Sequence, residues 1–251
     1  MSQLLALAGF GFLLGMRHAT DADHVVAVTT ILNRSQRLLD TTLIGVLWGL
    51  GHTITVVIVG VLIIVFNVVI PPPVGLAMEF AVALMLIALG ILNLTGSLRS
   101  VTERLTPPAP IHAHDHAHGG ASHGHLHGHG AQPGLVASLG RYQLIRPVVV
   151  GLVHGLAGSA AVALLVLATI QDTGTAIAYL VIFCIGVAAG MAVLTTVIGL
   201  PFMLSRTRSA KINRWLTIGS GVLSLALGLL LAHEVGIVGG LFTGDFNWEP
   251  A

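Results

Sequence analysis

The sequence predicts an all-α polytopic membrane protein, with six transmembrane helices arranged as a 3+3 inverted repeat. Of its 251 residues, 55% are hydrophobic and only 8% are Asp, Glu, Lys or Arg, whereas a soluble domain carries about 25% charged residues. The mean hydropathy is +0.92, and the apolar residues fall into runs of roughly 20 or more, which is enough to cross a hydrocarbon core as a helix. A membrane β-barrel would instead alternate apolar and polar residues over about ten positions.

Six apolar runs define the expected spans. Helices are expected because lipid leaves every backbone polar group to find its partner inside the span. The runs are Leu4–Leu32, Thr42–Ile70, Val74–Leu94, Pro147–Ile170, Thr175–Phe202 and Trp215–Leu241. The first residues contain no basic stretch, which favours the start of a membrane helix over a cleaved signal peptide. The expected domains are a three-helix repeat (1–94), a disordered cytoplasmic His-rich linker (95–145) and a second three-helix repeat (146–251).

The charged residues predict the orientation of these spans. Ten of the eleven basic residues lie in alternate loops, and cytoplasmic loops collect Lys and Arg. They are Arg34, Arg37, Arg99, Arg104, Arg141, Arg146, Arg206, Arg208, Lys211 and Arg214. The opposite side carries Glu79, Asp172, Glu234, Asp245 and Glu249. The chain is therefore expected to cross the cell inner (plasma) membrane several times, with both termini outside. The acidic outer face is expected to concentrate cations.

Three short matches between the two halves predict an internal repeat. Residues 15–18 match 151–154, Gly51 and Gly60 match Gly190 and Gly199, and 88–90 match 226–228, at offsets of 136, 139 and 138 residues. Each unit holds three spans, an odd number, so the second copy inserts upside down relative to the first. Such repeats place a transport site at their interface near the bilayer midplane. Chance similarity between common membrane residues is the alternative.

Polar residues interrupt the first span at RHATDADH, residues 17–24. Ionisable groups at the bilayer centre are costly, so they are expected to face a cavity and one another. Imidazoles and carboxylates without thiolates suit Ni, Co, Fe, Mn or Zn better than Cu(I). The candidate metal ligands are His18, Asp21, Asp23, His24, His52 and His154, with Arg17, Thr53 and Ser159 expected to orient ligands or to gate. For His52 and His154, a simple hydrogen bond between helices is the alternative.

Asp23 points away from the other candidate ligands on a regular helix. Two explanations are open: a neighbouring helix supplies its partner, or the span is unwound at this point.

A low-complexity tract between the third and fourth spans carries eight histidines. They are His112, His114, His116, His118, His123, His125, His127 and His129. Glycine and alanine around them cannot build a core, so the tract is expected to be disordered without a ligand and to bind metal. Whether it buffers, senses or delivers metal is left open. The single cysteine, Cys184, excludes a disulfide framework, a cysteine-based zinc site and a paired-thiol redox carrier.

Three segments resemble a known family. His18, Asp23 and His24 match the H-x4-D-H signature of the nickel/cobalt transporter superfamily, and LGHTITVV around His52 is similar to its second-helix motif. HGLAGSAAV at His154 resembles the corresponding segment of its six-helix, urease-accessory-type permeases. The resemblance implies a nickel or cobalt permease with His18, Asp23, His24 and His52 as functional positions. The His-rich tract is similar to that of efflux members, so the direction of transport is open.

The leading hypothesis is a secondary transporter that moves Ni²⁺ or Co²⁺ by alternating access, without enzymatic activity or a prosthetic group. Protons are a candidate coupling ion because metal binding competes with imidazole protonation. The expected partners are the divalent ion and the lipid bilayer, with a cytoplasmic metallochaperone or metalloenzyme and a homo-oligomer as further candidates and no nucleic acid. Three rivals are a membrane metallochaperone or sensor, an intramembrane metal hydrolase, and an exporter of other small solutes.

Overall fold

The computed structural model describes residues 2–32, 38–66, 70–97, 112–118, 121–127, 141–156, 169–170, 172–208 and 210–248. Its helices are α1 (Ser2–His18), α2 (Ala22–Ile31), α3 (Leu38–Phe66), α4 (Pro72–Leu94), α5 (Arg141–His154), α6 (Thr173–Arg208) and α7 (Ala210–His233). A π-helical turn, Glu234–Val238, extends α7. Two strands, β1 (His112–His118) and β2 (Ala121–His127), lie between α4 and α5.

Four of the described helices, α3, α4, α6 and α7, are long and apolar enough to cross a membrane. They coincide with the second, third, fifth and sixth predicted spans. Large apolar side chains on their outer faces, among them Leu62, Val65, Val197 and Leu230, are exposed, as lipid-facing residues are. The helical membrane class predicted from composition is therefore confirmed.

The other two predicted spans are not continuous helices among the described residues. The first is divided into α1, of 17 residues, and α2, of 10 residues. Of the fourth, the structure describes α5, the turn that follows it and residues 169–170. The remainder of that span, 157–168, lies outside the described residues.

Helices α1 and α5 each end at a histidine that a turn follows. After His18, the Thr20 N–H donates to the Arg17 carbonyl at 2.8 Å, and Asp21 is extended with φ −60° and ψ 150° before α2 begins. After His154, residues 155–156 form a similar turn. The interruption of the first span, one of two explanations offered for Asp23, is therefore present.

Close contacts at glycines hold α1 against α6 and α5 against α3. A Cβ on Gly15 in α1 would collide with the Phe183 backbone of α6, and one on Gly151 in α5 would collide with the Trp48 backbone of α3. Helices approach closely in membranes at such small residues. Each contact therefore fixes the end of a short helix, with its histidine, against the middle of a long one.

The long helices contribute matching glycines to the same contacts. A Cβ on Gly51 in α3 would meet the Val148 backbone of α5, and one on Gly186 in α6 would meet the Phe12 backbone of α1. Thus α1 packs on α6 as α5 packs on α3.

The contact between α4 and α7 is also reciprocal. A Cβ on Gly90 would meet the Leu225 backbone, and one on Gly228 would meet the Ile87 backbone. In addition, α3 packs along α6. Among the described residues, the largest fully buried apolar side chains include Trp48, Tyr179, Phe183, Leu86 and Met191.

Two of the described segments, β1 and β2, lie in the His-rich tract. Strands β1 and β2 form an antiparallel hairpin in which His112 pairs with His127, His114 with His125 and His116 with His123. A two-stranded ladder satisfies its inner backbone groups without a core, and the alternation of histidine with other residues matches the period of two of a strand. His129 lies outside the described residues.

The N-terminus of α6 is capped by Asp172. Its carboxylate accepts hydrogen bonds from the Thr175 hydroxyl at 2.6 Å and from the Thr175 backbone N–H at 2.7 Å. These hydrogen bonds, the hydroxyl's first, hold the pKa of the Asp172 carboxyl below its ordinary value. A carboxylate in this position satisfies backbone donors that the first turn of a helix leaves free.

Candidate metal site

Four histidines from four helices meet in one buried cluster. His18 ends α1, His24 lies in the first turn of α2, His52 lies within α3 and His154 ends α5; all four are buried. The centroids of the His24 and His154 rings are 4.0 Å apart, and those of the His52 and His154 rings are 6.5 Å apart. The two helix ends thus bring together residues more than 130 positions apart in the chain.

His18 connects the cluster to a carboxylate. Its Nδ1 donates to the Asp21 carboxylate at 3.0 Å, and its Nε2 lies 3.1 Å from the Nε2 of His52. A neutral imidazole that donates through one nitrogen keeps a lone pair on the other. The lone pair of His18 is therefore directed into the cluster, and metal-binding histidines have this arrangement with a carboxylate behind them.

Asp23 bridges two further histidines. One carboxylate oxygen accepts from the Nδ1 of His24 at 3.0 Å, and the other accepts from the Nε2 of His154 at 2.8 Å. Its side chain is only 18% exposed. A neighbouring helix does supply a partner for Asp23, as the other explanation for this residue required.

Three buried imidazole nitrogens have no hydrogen-bond partner within the described part of the chain. They are Nε2 of His24, Nδ1 of His52 and Nδ1 of His154. Histidines that served only to join helices would be expected to use these atoms, because an unpaired buried polar atom costs free energy. The unpaired nitrogens therefore favour ligands over structural residues.

The cluster contains two sets of three potential ligands. His18, His24 and His52 form one set; Asp23, His24 and His154 form the other. In each set the ligand atoms lie within 4.8 Å of one another. Three evenly spaced donors, each about 2.1 Å from a metal, are about 3.6 Å apart at most, so either set would close around an ion after a contraction of at most about 1 Å.

Two aromatic side chains line the cluster. Trp48 stacks on His24 with ring centroids 6.0 Å apart and meets the His154 ring edge-on at 5.6 Å. Phe183 lies 5.9 Å from the His18 ring. Neither residue was predicted from the sequence, although Trp48 precedes His52 by four positions and so shares its helix face.

Comparison with known proteins identifies the family. The model of the NicO family, described as high-affinity nickel-transport protein, matches residues 4–241. This chain belongs to the NicO family. It is also 34% identical to the urease accessory protein UreH of Bacillus sp. (strain TB-90) over 239 residues, which cover 95% of this chain and 96% of that protein. No solved structure matches the chain.

Membership of the NicO family confirms the predicted resemblance. It also confirms that the chain is a transport protein and not an enzyme, because the family is one of nickel transporters. Its long apolar helices agree with a place in a membrane.

The NicO chain brings six of the residues singled out from sequence close together. They are His18, Asp21, Asp23, His24, His52 and His154. Of the residues expected to orient or gate, Arg17 is exposed at the end of α1 and Thr53 is half-buried beside His52. Ser159 lies outside the described residues.

Proposed function

We propose that this protein carries Ni²⁺ across the cell inner membrane by alternating access, through the cluster formed by Asp23 and the four buried histidines. The observation that carries the proposal is the convergence of these side chains at two helix ends, with three imidazole nitrogens unpaired among the described residues. Ionisable side chains inside a membrane protein mark ion pathways when they face one another in this way.

The ligands we assign are His18, His24, His52, His154 and Asp23. Asp21 was expected to be a ligand; it contacts the Nδ1 of His18, while the Nε2 of that ring faces His52. We therefore assign Asp21 to orienting His18 and to making its imidazole a stronger ligand.

The donor set favours a divalent ion of intermediate softness. Imidazole nitrogen with carboxylate oxygen suits Ni²⁺ and Co²⁺ alike. The choice of nickel rests on the description of the NicO family, and Co²⁺ is the competitor to test beside it.

Reciprocal packing supports an inverted repeat as the basis of alternating access. His18 and His154 end equivalent helices, and the glycine contacts of α1 with α6 repeat those of α5 with α3. In these contacts the residue of α6 that corresponds to Gly51 of α3 is Gly186. It lies one helical turn before Gly190, the counterpart expected from the sequence offset. In such transporters one repeat rocks against the other around a fixed site.

The direction we propose is uptake, with both termini outside and the basic loops in the cytoplasm. The name of the similar urease accessory protein supports a metalloenzyme as the destination of the metal. A proton is the coupling ion that we propose to test first.

The deciding experiment measures Ni²⁺ uptake by proteoliposomes containing the purified full-length chain. We expect His18→Ala to abolish flux and His233→Ala, which changes an exposed histidine at the end of α7, to leave it unchanged. Equal flux for wild type and His18→Ala would contradict the assigned site. Absence of Ni²⁺ flux in the wild type, together with robust flux of Co²⁺, would change the cargo.

A second candidate function is metal capture by the His-rich hairpin. Its register pairs three histidines of one strand with three of the other, and directly opposed residues have Cβ atoms about 4.5–5.5 Å apart. Deletion of residues 112–129 separates the two candidates. A transporter keeps its flux with altered affinity or regulation, whereas a metallochaperone loses its activity.

A further inference from the structure

The two ligand sets of the cluster are not independent, because both contain His24. The first set, His18 with His24 and His52, has only nitrogen ligands. The second set, Asp23 with His24 and His154, contains a carboxylate. Overlapping sets of different charge within one buried cluster indicate more than one position for an ion.

His24 is built to serve both sets. Its Nδ1 lies on the Asp23 side, 3.0 Å from the carboxylate, and its Nε2, on the other edge of the ring, has no partner among the described residues. The His24 ring lies 4.0 Å from that of His154 and 4.8 Å from that of His18, centroid to centroid. It therefore stands between the ends of the two equivalent helices α1 and α5.

Simultaneous occupation of both positions is unfavourable. Two divalent ions would lie a few ångströms apart in a buried region, and their repulsion is strong where the effective dielectric constant is low. The carboxylates available are Asp23, which the second set uses directly, and Asp21, which is 40% exposed and hydrogen-bonded to His18. Two negative charges, one of them partly solvated, do not balance four positive ones.

We infer that the transported ion occupies these two positions in turn and passes between them with His24 as the shared ligand. This inference rests on the proposed function and adds a second ion position to it. In the first position His24 binds the ion through Nε2 while its Nδ1–H donates to Asp23. In the second position His24 binds through Nδ1, together with Asp23 and His154, and the Nδ1 proton moves to the vacated Nε2. The two positions lie on either side of one imidazole ring, so the ion passes from the His18 half to the His154 half over a few ångströms.

The test combines Ni²⁺ binding, X-ray absorption and flux on the full-length protein. His24→Ala is the reference for Ni²⁺ that the His-rich hairpin binds, and we expect the wild type to bind one Ni²⁺ per chain more than this variant. His52→Ala and His154→Ala should each still bind that one additional Ni²⁺. After subtraction of the His24→Ala spectrum, the outer-shell scattering should show two imidazole ligands in His52→Ala and three in His154→Ala. Both should lose flux by at least about tenfold.

Matched variants keep the outcome interpretable. His233→Ala controls for the loss of an imidazole outside the cluster. His52→Gln and His154→Gln keep side-chain volume in case the alanine variants fail to fold, as judged by size-exclusion chromatography.

Several results would overturn the inference while leaving the proposed function intact. One is two Ni²⁺ ions per wild-type chain in excess of those that His24→Ala binds. Another is wild-type flux in His52→Ala or His154→Ala. A third is loss of binding in both as complete as in His24→Ala, which would indicate one undivided site. Absence of flux in the wild type would instead contradict the proposed function, and the binding and spectroscopic results would still decide whether two positions exist.

Discussion

The hydrogen bond between His18 and Asp21 makes a quantitative test of the site. The Asp21 carboxylate lies 3.0 Å from the Nδ1 of His18, on the opposite side of the ring from His52. Asp21→Asn keeps an oxygen that can accept this hydrogen bond but removes the negative charge. The change therefore isolates the electrostatic contribution of the carboxylate to the metal affinity of His18.

The expected loss of affinity follows from this geometry. Removing a carboxylate behind a metal-binding histidine weakens metal affinity by about 10–100-fold, which equals about 1.4–2.7 kcal/mol. The Asp21 side chain is 40% exposed, and solvent screens its charge, so we expect a loss near the lower limit, about tenfold. Asp21→Ala also removes the hydrogen bond and should lose more.

The assay is the concentration dependence of Ni²⁺ flux together with equilibrium Ni²⁺ binding. Asp21→Asn should raise the half-saturating Ni²⁺ concentration, whereas His18→Ala should abolish saturable flux at any concentration tested. Asp245→Asn, which neutralises an exposed carboxylate beyond α7, is the matched control. Unchanged affinity in Asp21→Asn would refute the orienting role. A loss equal to that of His18→Ala would instead make Asp21 a direct ligand, as the sequence predicted.

Further expectations concern the framework around the site. Gly151→Leu should reduce Ni²⁺ flux at least about tenfold, because the new side chain meets the Trp48 backbone and overpacking costs about 1–3 kcal/mol. Gly9→Leu, with open space at its Cβ position, should transport normally. Equal flux in the two variants would contradict the packing of α5 on α3. Asp172→Ala should lower the melting temperature of the detergent-solubilised protein by removing the α6 cap, while Asp172→Asn should recover most of it. A melting temperature unaffected by either change would show that the cap contributes nothing.

Much of the site could be predicted because its first part is local in sequence. His18, Asp21 and His24 are three residues apart, so any helical or turn conformation keeps them near one another. The break after His18 could also be anticipated from the polar residues themselves. Asp23 could not be placed, because its partner His154 lies 131 residues away and the direction of its side chain depends on where the helix stops.

The proposed repeat illustrates a similar division. The offset of 138 residues that matches Gly90 with Gly228 agrees with the reciprocal contacts of α4 and α7. For α3 and α6 the sequence offset selects Gly190 as the counterpart of Gly51, whereas the packing selects Gly186. Several glycines at helical spacing occur in each span, and spacing alone does not say which of them meets a neighbouring helix.

The sequence by itself determined the membrane class, the helical nature of the spans and the chemical type of the candidate ligands. Hydropathy and residue chemistry are properties of the chain itself. Lipid then requires a helix wherever an apolar run crosses it, because the backbone polar groups must find partners inside the run. Only the tertiary structure decided that His52 and His154 join His18 and His24, and that His24 belongs to two sets of candidate ligands. The reason is that lipid is as apolar as the faces that helices bury against one another, so hydropathy does not mark the packed face. Close contacts at individual glycines mark the packed face, and these contacts exist only in the folded protein.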